Sequence, residues 1–205
     1  TVTVTGTTTI DTSAGNGAVT LDDDSNNLGG TVTVSTGSGN ITLDNDTNAL
    51  GVVSATTGSL TIEDAGALTL AGSMGSLAVT NASSVADSAM VSITGAATID
   101  TSTSNGAITL DEDDNSMTGT VTFNSGSGNV TLDNNTTDLD LVSTSTGAVT
   151  VENAGAVTAS GTMGSFTVSN STSFNDSATL TITGATGITT TDGAVTLDDD
   201  SNNLG

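Results

Sequence analysis

The chain has 205 residues, 23 of them Asp or Glu, and no Lys, Arg, His, Cys, Pro, Trp or Tyr, so its formal net charge is −23. Lacking His, Cys and Lys, it has no ordinary base for a Ser nucleophile and no Schiff-base amine. Lacking Arg and Lys, it has no clamp for phosphate or carboxylate, and its charge repels nucleic acid and anionic membrane surfaces.

From the N-terminus, short runs of Val, Leu and Ile alternate with Thr and Ser. TVTV at Thr1 is followed by GAVTL at Gly17, TVTV at Thr31, GNITL at Gly39, GSLTI at Gly58 and GSLAV at Gly75. Period-two alternation of β-branched residues predicts strands, which sets the chain apart from a disordered acidic tail. The Gly-led runs begin 22, 19 and 17 residues apart (39 − 17, 58 − 39, 75 − 58). A constant strand core with unequal spacing predicts coils of a parallel β-helix (β-solenoid) joined by turns of variable length. Val19/Leu21, Ile41/Leu43, Leu60/Ile62 and Leu77/Val79 are expected to point inward and stack, with Thr20, Thr42 and Thr61 outside.

A longer period overlies this beat. TGTTTIDTSAGNGAVTLDDDSNNLGG at Thr5 returns as TGAATIDTSTSNGAITLDEDDNSMTG at Thr94, an offset of 89 residues (94 − 5). Gly17 matches Gly106, Leu43 matches Leu132, Met74 matches Met163 and Asp87 matches Asp176. A third copy opens at Thr183, loses two residues and resumes as GAVTLDDDSNNLG. The expected organisation is module 1 over 1–93, module 2 over 94–182 and the start of a third over 183–205, all in one solenoid of four to five coils per module. The array is expected to continue, as an internal section of a larger protein. Stacked coils share a thin core, which suits the low aromatic content, and the absence of Pro suits parallel ladders that need every N–H. The alternative is a string of ~90-residue antiparallel sandwiches. Against it stand the mutual likeness of the sub-repeats and the missing Trp and Tyr.

The acidic turns are LDDDSNN (Asp22, Asp24), LDNDTN (Asp44, Asp46), IEDAG (Glu63), LDEDDNS (Asp111, Asp113), LDNNTTDLD (Asp133) and the repeated LDDDSNN (Asp198), with Glu152 matching Glu63. Asp22, Asp44 and Glu63 each follow the second inward residue, so they are expected to form a column that Asp111, Asp133 and Glu152 repeat. Like charges ~5 Å apart in water cost about 0.8 kcal/mol per pair. A solvated acidic edge or bridging Ca²⁺ relieves that cost, since hard cations take carboxylate and carbonyl oxygens. The ten carboxylates named here are therefore candidate Ca²⁺ ligands, although neither an EF-hand loop nor a GGxGxD nonapeptide is present.

Paired carboxylates also serve glycosidases, but acids recurring in each module read as scaffold, and no catalysis is expected. Ice binding calls for two outward Thr per coil, whereas the main column offers Thr20, Thr42 and Thr61 and then Ala78. Asn45, Asn81, Asn134 and Asn170 lie in N-x-S/T sequons. Met74 and Met163 are expected to fill core gaps. Phe123, Phe166 and Phe174 replace Val34, Leu77 and Val85, which predicts inward packing.

GAVTLDDDSNNLGGTVTV, GSLTIEDAGALTL and GSLAVTN resemble the repeats of large filamentous-haemagglutinin-like and autotransporter-type bacterial surface proteins. The likeness extends over essentially the whole chain, and the lack of Lys and Arg departs from it. It implies a secreted right-handed parallel β-helix used in adhesion, biofilm or surface filaments. The expected role is a structural extracellular fibre or stalk at the cell surface, with self-association into filaments or a longer array, and host or matrix glycans as possible ligands. The other expectation is a ligand-binding β-solenoid for ice or glycans. Neither nucleic acid nor membrane insertion is expected.

Overall fold

The structure is a computed structural model that describes all of residues 1–205. The chain folds as an all-β solenoid of about ten turns, and every strand pairing in it is parallel. One sheet runs through Val19–Leu21, Ile41–Leu43, Ser59–Ile62, Ser76–Val79, Ala97–Asp100, Thr120–Asn124, Leu139–Thr144, Ala156–Met163, Ser173–Ile182 and Val195–Thr196. The other runs through Thr8–Asp11, Thr31–Gly37, Leu50–Thr56, Ala65–Met74, Ala82–Ile93, Ile108–Leu110, Val130–Leu132, Ala148–Val151, Ser165–Ser171 and Thr186–Thr190. Each coil contributes one strand to each sheet.

Alternation decides which side chains enter the core. Val19, Ile41 and Leu60 are in register, as are Leu21, Leu43 and Ile62, and the ladder continues to Leu77 and Val79. The Thr between them form an outward row, Thr20–Thr42–Thr61–Ala78, as their position in the strand requires. One cluster of 42 buried hydrophobic residues runs between the sheets. It includes Met74 and Met163, and the three Phe, with Phe166 and Phe174 tilted against each other at a centroid distance of 5.8 Å. Burying an aliphatic side chain of this size contributes about 1.5–3 kcal/mol, so a stack of them holds a solenoid with few aromatics.

Corners are closed by side chains as well as by backbone. Thr12, Thr36, Thr101, Ser125 and Thr190 each donate a hydroxyl hydrogen bond to the carbonyl of the next corner Gly: Gly17, Gly39, Gly106, Gly128 and Gly193, at 2.5–2.8 Å. Coils approach most closely at the Gly opening each GxVTL-type run. A Cβ built on Gly39 or Gly58 would sit 2.5 Å from the carbonyl oxygen of the Gly one coil below. Gly is therefore required there by contact between backbones.

The 89-residue repeat and the coil do not share a phase. Val19–Leu21 belongs to the first sheet, but its counterpart Ile108–Leu110 belongs to the second. Thr31–Gly37 lies in the second sheet and Thr120–Asn124 in the first, and the same exchange applies to every matched pair of strands in these two sheets; Asn27–Leu28 pairs with Thr3–Val4 in a separate two-stranded sheet. Val19 to Ala97 is four coils along the first sheet, and Ile108 lies half a coil further on. One module is therefore four and a half coils. At a strand spacing of about 4.8 Å, it rises roughly 22 Å and turns the next module to face the opposite way. Matched residues return to the same side only after two modules.

Candidate functional site

The candidate site is the set of acidic corners. In register, Asp44 N donates to Leu21 O and Glu63 N donates to Leu43 O, so Asp22, Asp44 and Glu63 do occupy consecutive coils as the spacing predicts. Their side chains part company. Asp22 is exposed, Glu63 is half-buried, and Asp44 is 2 % exposed, its Oδ1 accepting the Asp46 N–H at 2.8 Å. In the second module Asp111 and Glu152 are exposed while Asp133 is 1 % exposed and accepts the Asn135 N–H at 2.7 Å. Asp24, Asp46, Asp113 and Asp198 are exposed. The expectation that carboxylates line the outside is thus corrected for Asp44 and Asp133, which turn geometry folds inward, and for Asp176, which is buried within the strand Ser173–Ile182. The two acidic columns follow strands of different sheets, so they run along opposite sides of the solenoid.

Nowhere do three or more carboxylates converge in an arrangement that holds a metal ion. Of the ten candidate ligands only Asp44 and Asp133 have carboxylate oxygens engaged by the protein, through the Asp46 and Asn135 N–H groups and, for Asp133, the Asn153 amide. A polar groove of about 480 Å³ lies at the second module's acidic corner, lined by residues that include Asp113, Asp133, Asn135, Asn153 and Asn170.

Burial raises the Asp44 carboxyl most, the Asp46 N–H opposes it, and the charges of Asp64, Asp24 and Asp46 raise it further, so it lies above the ordinary carboxylate value. For Asp176, burial also pushes upward. The Asn202 amide and the Asp199 and Asp198 N–H groups outweigh it and hold this carboxyl below the ordinary value. Exposed Asp11 is lowered by hydrogen bonds from the Ser13 hydroxyl and N–H.

Three sets of residues central to this region are not singled out by the acidic pattern. Asp87 accepts hydrogen bonds from Asp111 N, Glu112 N and, at 2.6 Å, Asn115 Nδ2; Asp176 repeats this with Asp198 N, Asp199 N and Asn202 Nδ2. Each acidic loop therefore wraps its backbone donors around the carboxylate of the coil below. Asn115 and Asn202 also accept, through Oδ1, the N–H of Val91 and Leu180. Asn45 and Asn134 form the second set. Both are fully buried; Asn45 accepts the Leu28 N–H and donates to Asn48 O and Ala49 O, and Asn134 accepts the Met117 N–H and donates to Met117 O, Thr137 O and Asp138 O. Their sequons are thus occupied by core brackets. The third set is a ladder: Asn170 donates to Asn153 at 2.9 Å, and Asn153 donates to Asp133 Oδ2 at 2.5 Å. The one available signal was identity of polar residues at the 89-residue offset, such as Asp87/Asp176 within strands and Asn26/Asn115 in turns.

No curated protein and no solved structure matches the chain. A family described as "Repeats of unknown function (DUF5649)" matches residues 1–35, 57–124, 127–178 and 146–205. Two of these matches begin 89 residues apart (146 − 57), in step with the period read from the sequence. With well over half its length matched, the chain belongs to the DUF5649 repeat family.

Proposed function

We propose that this solenoid is a segment of a non-catalytic extracellular fibre or stalk, part of a large bacterial surface, adhesin or biofilm-matrix protein. The observation that carries the reading is the uninterrupted 42-residue core, running through both modules without a break between them. Such a stack transmits length along one axis, as quasi-one-dimensional repeats do. The half-coil phase adds that successive modules present the same surface in opposite directions, which suits a fibre more than a one-sided binding platform. A charge of −23 without any basic side chain keeps such fibres apart at low salt and lets divalent cations draw them together.

Electron microscopy of this chain and of longer arrays of the same repeat tests the reading. Rods are expected, roughly 48 Å long for ten coils and lengthening by about 22 Å per added module. Compact particles whose size does not scale along one axis would end it. A second reading, a solenoid that binds glycan or ice, is favoured by the in-register outward row Thr109–Thr131–Thr150. Glycan-array binding or thermal hysteresis separates it from a purely structural role.

A further inference from the structure

The two modules differ at one buried corner in a way that the shared backbone makes directly comparable. In the second module the ladder Asn170–Asn153–Asp133 is complete, because Asn153 Nδ2 donates to Asp133 Oδ2. In the first module the matching residues are Asn81, Asp64 and Asp44. Asn81 Nδ2 donates to Asp64 Oδ1 at 2.5 Å, so the upper rung is kept. The lower rung is missing: a carboxylate stands where Asn153 offers an amide. Asp44, 2 % exposed, receives only the Asp46 N–H on Oδ1 from the protein, and its Oδ2 has no protein donor but keeps contact with solvent. Backbone placement is the same in both corners, since Asn45 N donates to Asp64 O as Asn134 N donates to Asn153 O.

We propose that Asp44 and Asp64 share a single proton, the O–H of one carboxyl donating to an oxygen of the other, and so form the rung that the second module makes with an amide. The first module then takes its missing donor from solvent, and its coils tighten on mild acidification. This inference does not depend on the fibre role.

The surroundings offer the pair no cationic partner. Asp22 and Asp24 lie in the coil below, Asp46 in the same turn and Glu63 beside Asp64 in the coil above, and the chain has no Lys, Arg or His. Two carboxylates on adjacent coils, one of them buried, cannot both ionise as cheaply as in water, which favours a proton held between them. The upward displacement of Asp44 by burial and by Asp64 is in the same direction. A group raised in the folded state contributes stability that is present at low pH and lost as pH rises through its folded value. The contribution is therefore fully present below the ordinary carboxylate value of 3.8 and lost as pH rises above it through the raised, folded value.

Thermal unfolding of the full chain between pH 7 and pH 3, below the ordinary carboxylate value, with Asp64→Asn and Asn153→Asp beside it, tests this. Relative to D64N, the unsubstituted chain is expected to gain about 3 °C in Tm on acidification for each unit by which the pair is raised, and N153D to acquire a similar extra gain. Carboxyl carbon NMR should show one member of the pair titrating above the ordinary value, and that titration should vanish in D64N. Parallel pH profiles for all three chains, or NMR showing both carboxyls ionised down to the ordinary value, would overturn the shared proton. A Tm increase with Ca²⁺ over chelator at pH 7 that D64N abolishes would also overturn it, assigning the gap to a cation.

Discussion

At the corner after Leu43, the first module stacks carboxylate on carboxylate; at the matching corner after Leu132, the second stacks amide on carboxylate. Asp46 and Asp64 in the first become Asn135 and Asn153 in the second, while the inward Leu43 and Leu132 remain. The same backbone thus supports two polar solutions, one self-sufficient in hydrogen bonds and one short of a donor. A further contrast lies in the core, where Leu77 and Val85 of the first module become the contacting pair Phe166 and Phe174 of the second. Repetition preserves the coil, and the residues that vary decide how tightly each coil is held.

The comparison breaks most visibly in the core. Phe166→Ala should cost about 3–5 kcal/mol and Leu77→Ala about 2–5 kcal/mol, with the Phe166 change at the larger end because Phe174 loses its ring partner. Chemical denaturation of the two variants measures the difference, and equal losses would deny the second module any extra packing. Next come the buried brackets. Asn134→Ala leaves the Met117 N–H and several carbonyls without partners and Asn45→Ala leaves the Leu28 N–H so, each for a loss of roughly 2–4 kcal/mol. Hydrogen exchange at Leu28 and Met117 should accelerate locally in the respective variant.

Asp176→Asn sharpens the comparison through pH. Because this carboxyl is held below its ordinary value, its contribution is present above that value and lost as pH falls through the lower, folded one. The variant is expected to be less stable at neutral pH and to show a shallower loss in acid, the opposite sign to the Asp44–Asp64 pair. Acid titration followed by circular dichroism distinguishes the two. The smallest effect belongs to the exposed acids: Glu152→Gln should change stability by under about 0.5 kcal/mol, and added NaCl should raise Tm modestly by screening. A large salt effect confined to one module would show that its exposed acids interact more strongly than their solvation allows.

Much of this architecture was legible in the chain. The GxVTL-type runs became in-register strands, Val19/Leu21 and their successors point inward, the three Phe entered the core, and the parallel solenoid prevailed over sandwiches. The candidate site was legible only in part. Asp22, Asp44 and Glu63 follow one another up the coils, but which carboxylate turns inward depends on turn N–H groups such as those of Asp46 and Asn135. Asp87 and Asp176 stand out in the sequence only as a matched pair, because a single carboxylate within a strand has no meaning until the next coil's loop closes over it.

The sequence by itself determined the alternation, the 89-residue period and the placement of Gly at coil contacts, because side-chain direction in a strand and backbone clearance at a corner are local properties. Only the tertiary structure decided that a module spans four and a half coils, that matched residues face opposite sides and that some acids are buried. Strands of the two sheets carry the same pattern, so nothing local labels which sheet a strand joins. That assignment comes from the summed lengths of the intervening turns and from the coils beneath, which a residue meets only once the chain has wound back onto itself.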